Sequence, residues 1–209
     1  PLYVSASNLE GTVEVQYTRA VVHFRQGKKE LAMREIESAL ESARVAGNVQ
    51  QQVKLLLQRA NFWVNEGNVA RAQQEAQTAV DLARTNGVEV LAARSLLQLG
   101  NAYFLKSRHA EAEALFEQAR EVASRNRARA VEAQALMSLG SLHHTTGATE
   151  KAQRELTTAV PLLRQSGYAK DAFDAGILLS RILRDKGELA AAQQAIEEQA
   201  RDAERRKDV

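Results

Sequence analysis

Asn61 and Asn101 stand forty residues apart in a chain of 209, and Lys54 and Arg94 keep the same separation. An amide side chain carries donors and an acceptor together. Two of them presented in line can therefore hold the backbone of an extended peptide without reading its side chains. The two cations suit an acidic peptide or a carboxylate, and Asn65 joins the same set. The other chemistry-bearing residues assemble less well. His143 and His144 are adjacent, so on a helix they diverge by roughly 100 degrees, which is poor geometry for gripping one metal ion. His109 reads as a surface residue beside a turn. Arg120, Arg125, Arg127 and Arg129 cluster, but no aromatic residue interleaves with them and the net charge is only +2. That pattern describes a solvated basic turn better than a nucleic-acid surface. The glycines are isolated, so none builds a phosphate loop. No nucleophile sits with a base and no pair of carboxylates stands out. The expectation is a chain without enzymatic activity, cofactor or metal.

The elements that would carry the asparagines are visible between Ala93 and Arg120. There Leu96, Leu99, Gly100 and Tyr103 form one helical face, and Ala112, Phe116 and Ala119 form another after a short polar break. Forty residues later Leu136, Leu139, Gly140, Ala152, Leu156 and Ala159 fill the same positions. Forty earlier they are Leu56, Ala60, Trp63, Ala72, Ala76 and Ala79. The unit recurs five times, over approximately 8–47, 48–87, 88–127, 128–167 and 168–207. Each unit is a helix, a turn and a second helix. Small residues at the Gly100, Ala112 and Ala119 positions allow the two helices to approach closely.

Two columns of glycine punctuate the array, since a residue that tolerates positive φ is the usual exit from a helix. Gly27, Gly67, Gly147 and Gly187 fall within repeats, and Gly47, Gly87 and Gly167 fall between them. The third repeat breaks both columns. Ser107 there is expected to cap the following helix, and Asn126 to take the left-handed conformation. Residues up to about Asn8 read as a lead-in with Ser7 or Asn8 as cap. Pro161 falls inside a helix and is expected to bend it.

These residues resemble the tetratricopeptide repeat, whose pattern of Leu, Gly, Tyr, Ala, Phe and Ala is matched between Leu96 and Ala119. The resemblance covers about nine tenths of the chain. It departs in length, with forty residues where the usual unit has 34, enough for roughly a turn and a half of additional helix. It implies an all-α, right-handed superhelical solenoid whose first helices line a concave groove. Counting repeats from Val13, Val53, Ala93, Ala133 and Phe173, the groove-facing positions are the second, fifth, ninth, twelfth and thirteenth. The ninth holds Asn61 and Asn101, and in peptide-binding members Asn at this position bonds the peptide backbone. Lys54 and Arg94 take the second, and Asn65 the thirteenth. The family's clamp for chaperone tails needs Lys at the fifth position. Leu57 and Leu97 stand there instead, which excludes that specific activity. Tyr17, Leu57, Leu97, Met137 and Ile177 form an apolar ladder at the fifth position. It reads as core, with an apolar groove for a partner helix or strand as the alternative.

Composition agrees with such an array. Hydrophobic residues make 44% and charged residues 26%, with only 2 prolines and no cysteine. No apolar run approaches the roughly 20 residues of a membrane span, and the N-terminal residues have neither the basic start nor the apolar centre of a signal peptide. We expect a single domain spanning 1–209, a cytoplasmic piece of a longer protein. Its function would be a scaffold binding a peptide or partner domain, with acidic ones suited to Lys54 and Arg94, in the concave groove, without nucleic acid or membrane, and with room for a homodimer. The competing reading is a sensor, regulatory or oligomerisation segment of a larger bacterial signalling protein, such as a transcriptional activator or a kinase.

Overall fold

Apolar residues recur at intervals of three, four and seven along the chain, which gives each helix one dry face. In Lys29–Val45 that face is Ala32, Ile36, Ala39, Leu40 and Ala43, all buried. The computed structural model describes the backbone of residues 2–205 and the side chains of residues 10–201. Among these, ten helices follow one another without a strand: α1 (Leu2–Arg25), α2 (Lys29–Val45), α3 (Val49–Asn65), α4 (Val69–Thr85), α5 (Glu89–Leu105), α6 (His109–Arg125), α7 (Arg129–Thr145), α8 (Thr149–Gln165), α9 (Ala169–Asp185) and α10 (Leu189–Arg205). The all-α class and the repeated helical hairpin are as the sequence implied.

From α2 to α10 every described helix has 17 residues. Three residues link each helix to the next, and they do two jobs at once. At the end of α2 the Gly47 N–H donates to the Arg44 carbonyl at 3.0 Å and the Asn48 N–H to the Ala43 carbonyl at 3.0 Å. These two bonds satisfy carbonyls that the ending helix leaves open. The same Asn48 then caps α3, its side-chain oxygen accepting from the Gln51 N–H at 3.0 Å. Asn68 repeats the device on Arg71 at 3.2 Å.

The third repeat solves its turns differently from expectation. Ser107 and Arg127 themselves carry positive φ, 57° and 54°. Asn126 stays at φ −90°, and the cap position before α6 falls to Arg108, which makes no side-chain cap bond. The three-residue link fixes which position must be left-handed. Moving the turn by one residue to exploit Asn126 would rotate the whole next helix out of phase. At the N-terminus, α1 runs back to Leu2 through Ser7 and Asn8. A Ser or Asn is a local cap preference that a continuing helix overrides when its side chain finds no reason to stop it. Helix α8 continues through Pro161.

The chain falls into two compact units, Pro1–Lys106 and Ser107–Val209. In the first, a buried cluster joins α1 to α5 through residues such as Val13, Ile36, Leu55, Phe62 and Ala92. In the second, Leu156, Leu163, Ala175 and Ile182 belong to the corresponding cluster. Within each unit the first helices of successive repeats touch directly, α1 on α3, α3 on α5, and α7 on α9. No second helix touches another second helix of its unit among the described residues. The first helices therefore lie on the inner, tighter side of each unit.

Close approach inside a hairpin depends on small residues, as anticipated. A Cβ added at Gly140 would sit 2.7 Å from Cγ of Leu156. At the last hairpin the fit is inverted. Gly176 vacates space that the buried Gln199 fills, in a position that holds Ala in the four earlier repeats, and the Gln199 oxygen finds no partner.

Candidate functional site

The five expected residues all lie on α3 and α5, adjacent helices of the inner side of the first unit. Asn61 and Asn101 are half-buried. Their side-chain amides make no hydrogen bond within the described protein, so each keeps its donors and acceptor for something else. Arg94 is exposed and has no ion-pair partner among the described residues. Asn65 is partly committed, since its amide donates to the Asn61 carbonyl at 2.7 Å.

Lys54 departs from expectation. Its ammonium lies 2.9 Å from Glu14 Oε1 and 3.1 Å from Oε2, and 4.2 Å from the centre of the Tyr17 ring. The hydrogen bond from Lys54 holds the Glu14 carboxyl below its ordinary range. Glu14 occupies the same repeat position one unit earlier, so a cation and an anion in register forty residues apart find each other. The pair is roughly half exposed and stabilises the fold little. It neutralises the lysine, leaving Arg94 as the free positive charge of the set.

The apolar ladder is graded in burial. Leu97 is buried, while Tyr17, Leu57 and Met137 are half-buried and pack against the cores. Phe24 stacks on Phe62 with centroids 4.1 Å apart. Phe104 and Val64 stay half-buried, and Leu105 is exposed. The inner face of the first unit thus carries open amides, the Arg94 cation and partly covered apolar side chains.

Elsewhere the charged residues hold structure. Arg120 pairs with Glu117 at 2.7 Å and Arg125 with Glu121, so two of the four clustered arginines are balanced within their own helix. Two further ion pairs escaped the sequence reading. Arg19 meets Glu35 and Arg59 meets Glu75, each at 2.8 Å and each joining the two helices of one hairpin. The signal was present as Arg and Glu sixteen residues apart in repeats one and two. Repeat three replaces both by leucine, Leu99 and Leu115.

Repeat four keeps the acid, Glu155, but has Leu139 where the arginine would stand. His143 takes over. Its ring is buried, with Nδ1 2.7 Å from Glu155 and Nε2 2.9 Å from Glu113. His143 holds the position of Tyr103 one repeat earlier, and it bridges α6, α7 and α8. Burial disfavours the charged ring, yet the bonds to Glu155 and Glu113 outweigh it and raise its pKa. Two carboxylates on opposite ring nitrogens leave no shared vertex for a metal ion, and among the described residues no acidic, His or Cys cluster suits one. No described helix is long and apolar enough to cross a membrane.

The family model for the tetratricopeptide repeat matches residues 91–165. Among curated proteins none matches the sequence. Three solved structures share the fold at low identity. Aspartyl phosphate phosphatase F from Bacillus subtilis is 11% identical with a TM-score of 0.80, over 98% of this chain and 54% of that one. The Rap conjugation gene regulator of plasmid pLS20, solved with a Phr peptide, is 18% identical with a TM-score of 0.77, over 100% of this chain and 57% of that one. The signal transduction ATPase with a tetratricopeptide repeat sensor from Pyrococcus horikoshii is 18% identical with a TM-score of 0.68, over 92% and 30%. The chain thus spans from 30% to 57% of the length of these proteins. The family match covers about a third of the chain, and the hairpin that recurs every forty residues on either side of it is similar to the tetratricopeptide repeat.

Proposed function

We propose that the chain is a non-catalytic interaction scaffold, and that the inner face of its first unit holds an extended, acidic peptide or a partner's tail. The observation that carries this reading is the pair of uncommitted amides, Asn61 and Asn101, on adjacent helices beside the free cation Arg94. A peptide lying across α3 and α5 meets both amides with its backbone, and an acidic side chain meets Arg94. Val64, Phe104 and Leu105 offer apolar contacts along the same path. A regulator that shares this fold was solved with a Phr peptide, which makes a peptide the ligand to test first. The setting is the cytoplasm of a bacterial cell, with no nucleic acid among the partners.

A second reading has its own support. The three structural relatives are longer than this chain, and one is described as a signalling ATPase with a repeat sensor. On that reading the array is the sensing or regulatory segment of a larger signalling protein, and the same inner face receives its effector.

An immobilised panel of acidic, neutral and basic decapeptides tests the scaffold. Each net hydrogen bond is worth about 1 kcal/mol, so Asn61→Ala with Asn101→Ala should weaken binding by roughly 10-fold to 100-fold. Arg94→Gln should remove the preference for acidic peptides and flatten the salt dependence. Equal binding by the wild type and the double variant would overturn the assignment of this face.

A further inference from the structure

Lys54 and Arg94 hold the same repeat position on α3 and α5, helices that touch within the first unit. Their surroundings differ. Lys54 already sits in a finished carboxylate site. Both oxygens of Glu14, from α1, accept from its ammonium at 2.9 and 3.1 Å, and the Gln51 amide donates to Glu14 Oε1 at 3.1 Å. The Tyr17 ring centre lies 4.2 Å from the ammonium, and the Tyr17 hydroxyl donates to Gln58 at 3.3 Å, which ties that ring to α3. The donors are therefore well placed, whereas the acid they hold is easily reached. The Glu14 side chain is 50% exposed, and an exposed pair of this kind adds little to the fold.

We propose that Glu14 sets the acid selectivity of the inner face: it fills a carboxylate subsite built by Lys54 and Gln51, and so limits the face to one ligand acid, at Arg94. The inference rests on the peptide-binding reading given above. A second ligand acid reaches Lys54 only by displacing Glu14. That exchange replaces one ion pair by another, and the displaced carboxylate stays tethered nearby and repels the newcomer. Arg94 has no ion-pair partner among the described residues, so an acid meets it without an exchange. The column of residues explains the contrast. The position reads Glu14, Lys54, Arg94 in successive repeats, so the lysine has an acid one unit before it and the arginine has another cation. Neighbouring helices pack about 8 to 10 Å apart, and an extended chain advances about 3.3 to 3.6 Å per residue. Two acids about three positions apart in a peptide therefore match the two cations.

Fluorescence anisotropy of the full chain with three labelled decapeptides tests the proposal: one without acids, one with a single glutamate, and one with two glutamates three positions apart. The wild type should bind the one-acid and two-acid peptides within about 2-fold of each other. Glu14→Gln should bind the two-acid peptide roughly 3-fold to 10-fold more tightly than the wild type and leave the acid-free peptide unchanged. Lys54→Gln alone should change little, because the lysine is already engaged. Added to Glu14→Gln, it should abolish the gain. These positions are partly exposed, and unchanged helical circular dichroism confirms that each variant is folded. A Glu14→Gln chain without the gain would overturn the proposal. So would a gain that survives the loss of Lys54, since it would report only the altered overall charge. The scaffold reading fails separately, if Asn61→Ala with Asn101→Ala binds the one-acid peptide as the wild type does, a comparison in which Glu14 is unchanged. A panel that binds neither the wild type nor Glu14→Gln would overturn both.

Discussion

Replacing His143 by tyrosine should loosen the second unit, and the cost can be worked out from the site. The ring makes two bonds to carboxylates, at 2.7 Å to Glu155 and 2.9 Å to Glu113. The Glu155 side chain is 16% exposed and that of Glu113 is 40%, so water replaces the histidine readily at Glu113 and poorly at Glu155. A lost charge-assisted bond at a mostly buried acid costs about 1.5 to 3 kcal/mol. The exposed bond adds about 0 to 1 kcal/mol. The single variant should therefore lose about 1.5 to 4 kcal/mol, a large part of the 5 to 15 kcal/mol typical of a domain. Repeat three shows the remedy, since it holds Tyr103 and Leu115 where repeat four holds His143 and Glu155. His143→Tyr combined with Glu155→Leu copies that arrangement and should recover most of the loss.

The pH dependence of the same site carries a sign. The folded pKa of His143 lies above its ordinary value of 6.5. Its contribution is therefore fully present below about pH 6.5 and disappears as pH rises through the folded pKa. The hydrogen bond from His143 holds Glu113 below its ordinary 4.5, so that part is present above pH 4.5 and fades as pH falls through the lowered value. Burial pushes Glu155 the other way, with His143 and Lys151 opposing it and Glu117 adding to it. Urea titrations of the full chain at pH 6 and pH 9, followed by circular dichroism, measure the histidine's part. The wild type should lose more stability between those pH values than the double variant. A single variant as stable as the wild type, or equal pH dependence in all three proteins, would refute the bridge.

Two further substitutions test the packing and the turns. Gly140→Ala drives a methyl group to 2.7 Å from Leu156 Cγ, and overpacking of this kind costs about 1 to 3 kcal/mol, visible as a lower thermal midpoint. Ser107→Gly and Arg127→Gly relieve non-glycine residues held at positive φ and should each raise stability by about 0.5 to 1 kcal/mol. Urea midpoints that fall in both variants would count against the left-handed assignment.

The sequence made some features of this molecule plain and concealed others, and the difference lies in how far each reaches. The recurrence of the helical hairpin was legible from α2 onward, because glycine columns and apolar spacing are local signals repeated several times over. Where one copy departed, as at Ser107 and Arg127, local preference pointed to Asn126. The register of the neighbouring helices decided otherwise. Asn61, Asn101 and Arg94 lie on the inner helices α3 and α5. Lys54 could not be judged by its own position, because its partner Glu14 belongs to the repeat before. The same holds for His143. Its role depends on the loss of an arginine at Leu139 and the survival of an acid at Glu155, so only reading three positions together reveals a bridge. In a repeat array a residue's chemistry is thus set by what the same position holds one unit away. A departure from the column is informative only beside the partner that it frees. Gln199 with Gly176 makes the point in the core: each alone looks like a defect of the pattern, and together they fill one space.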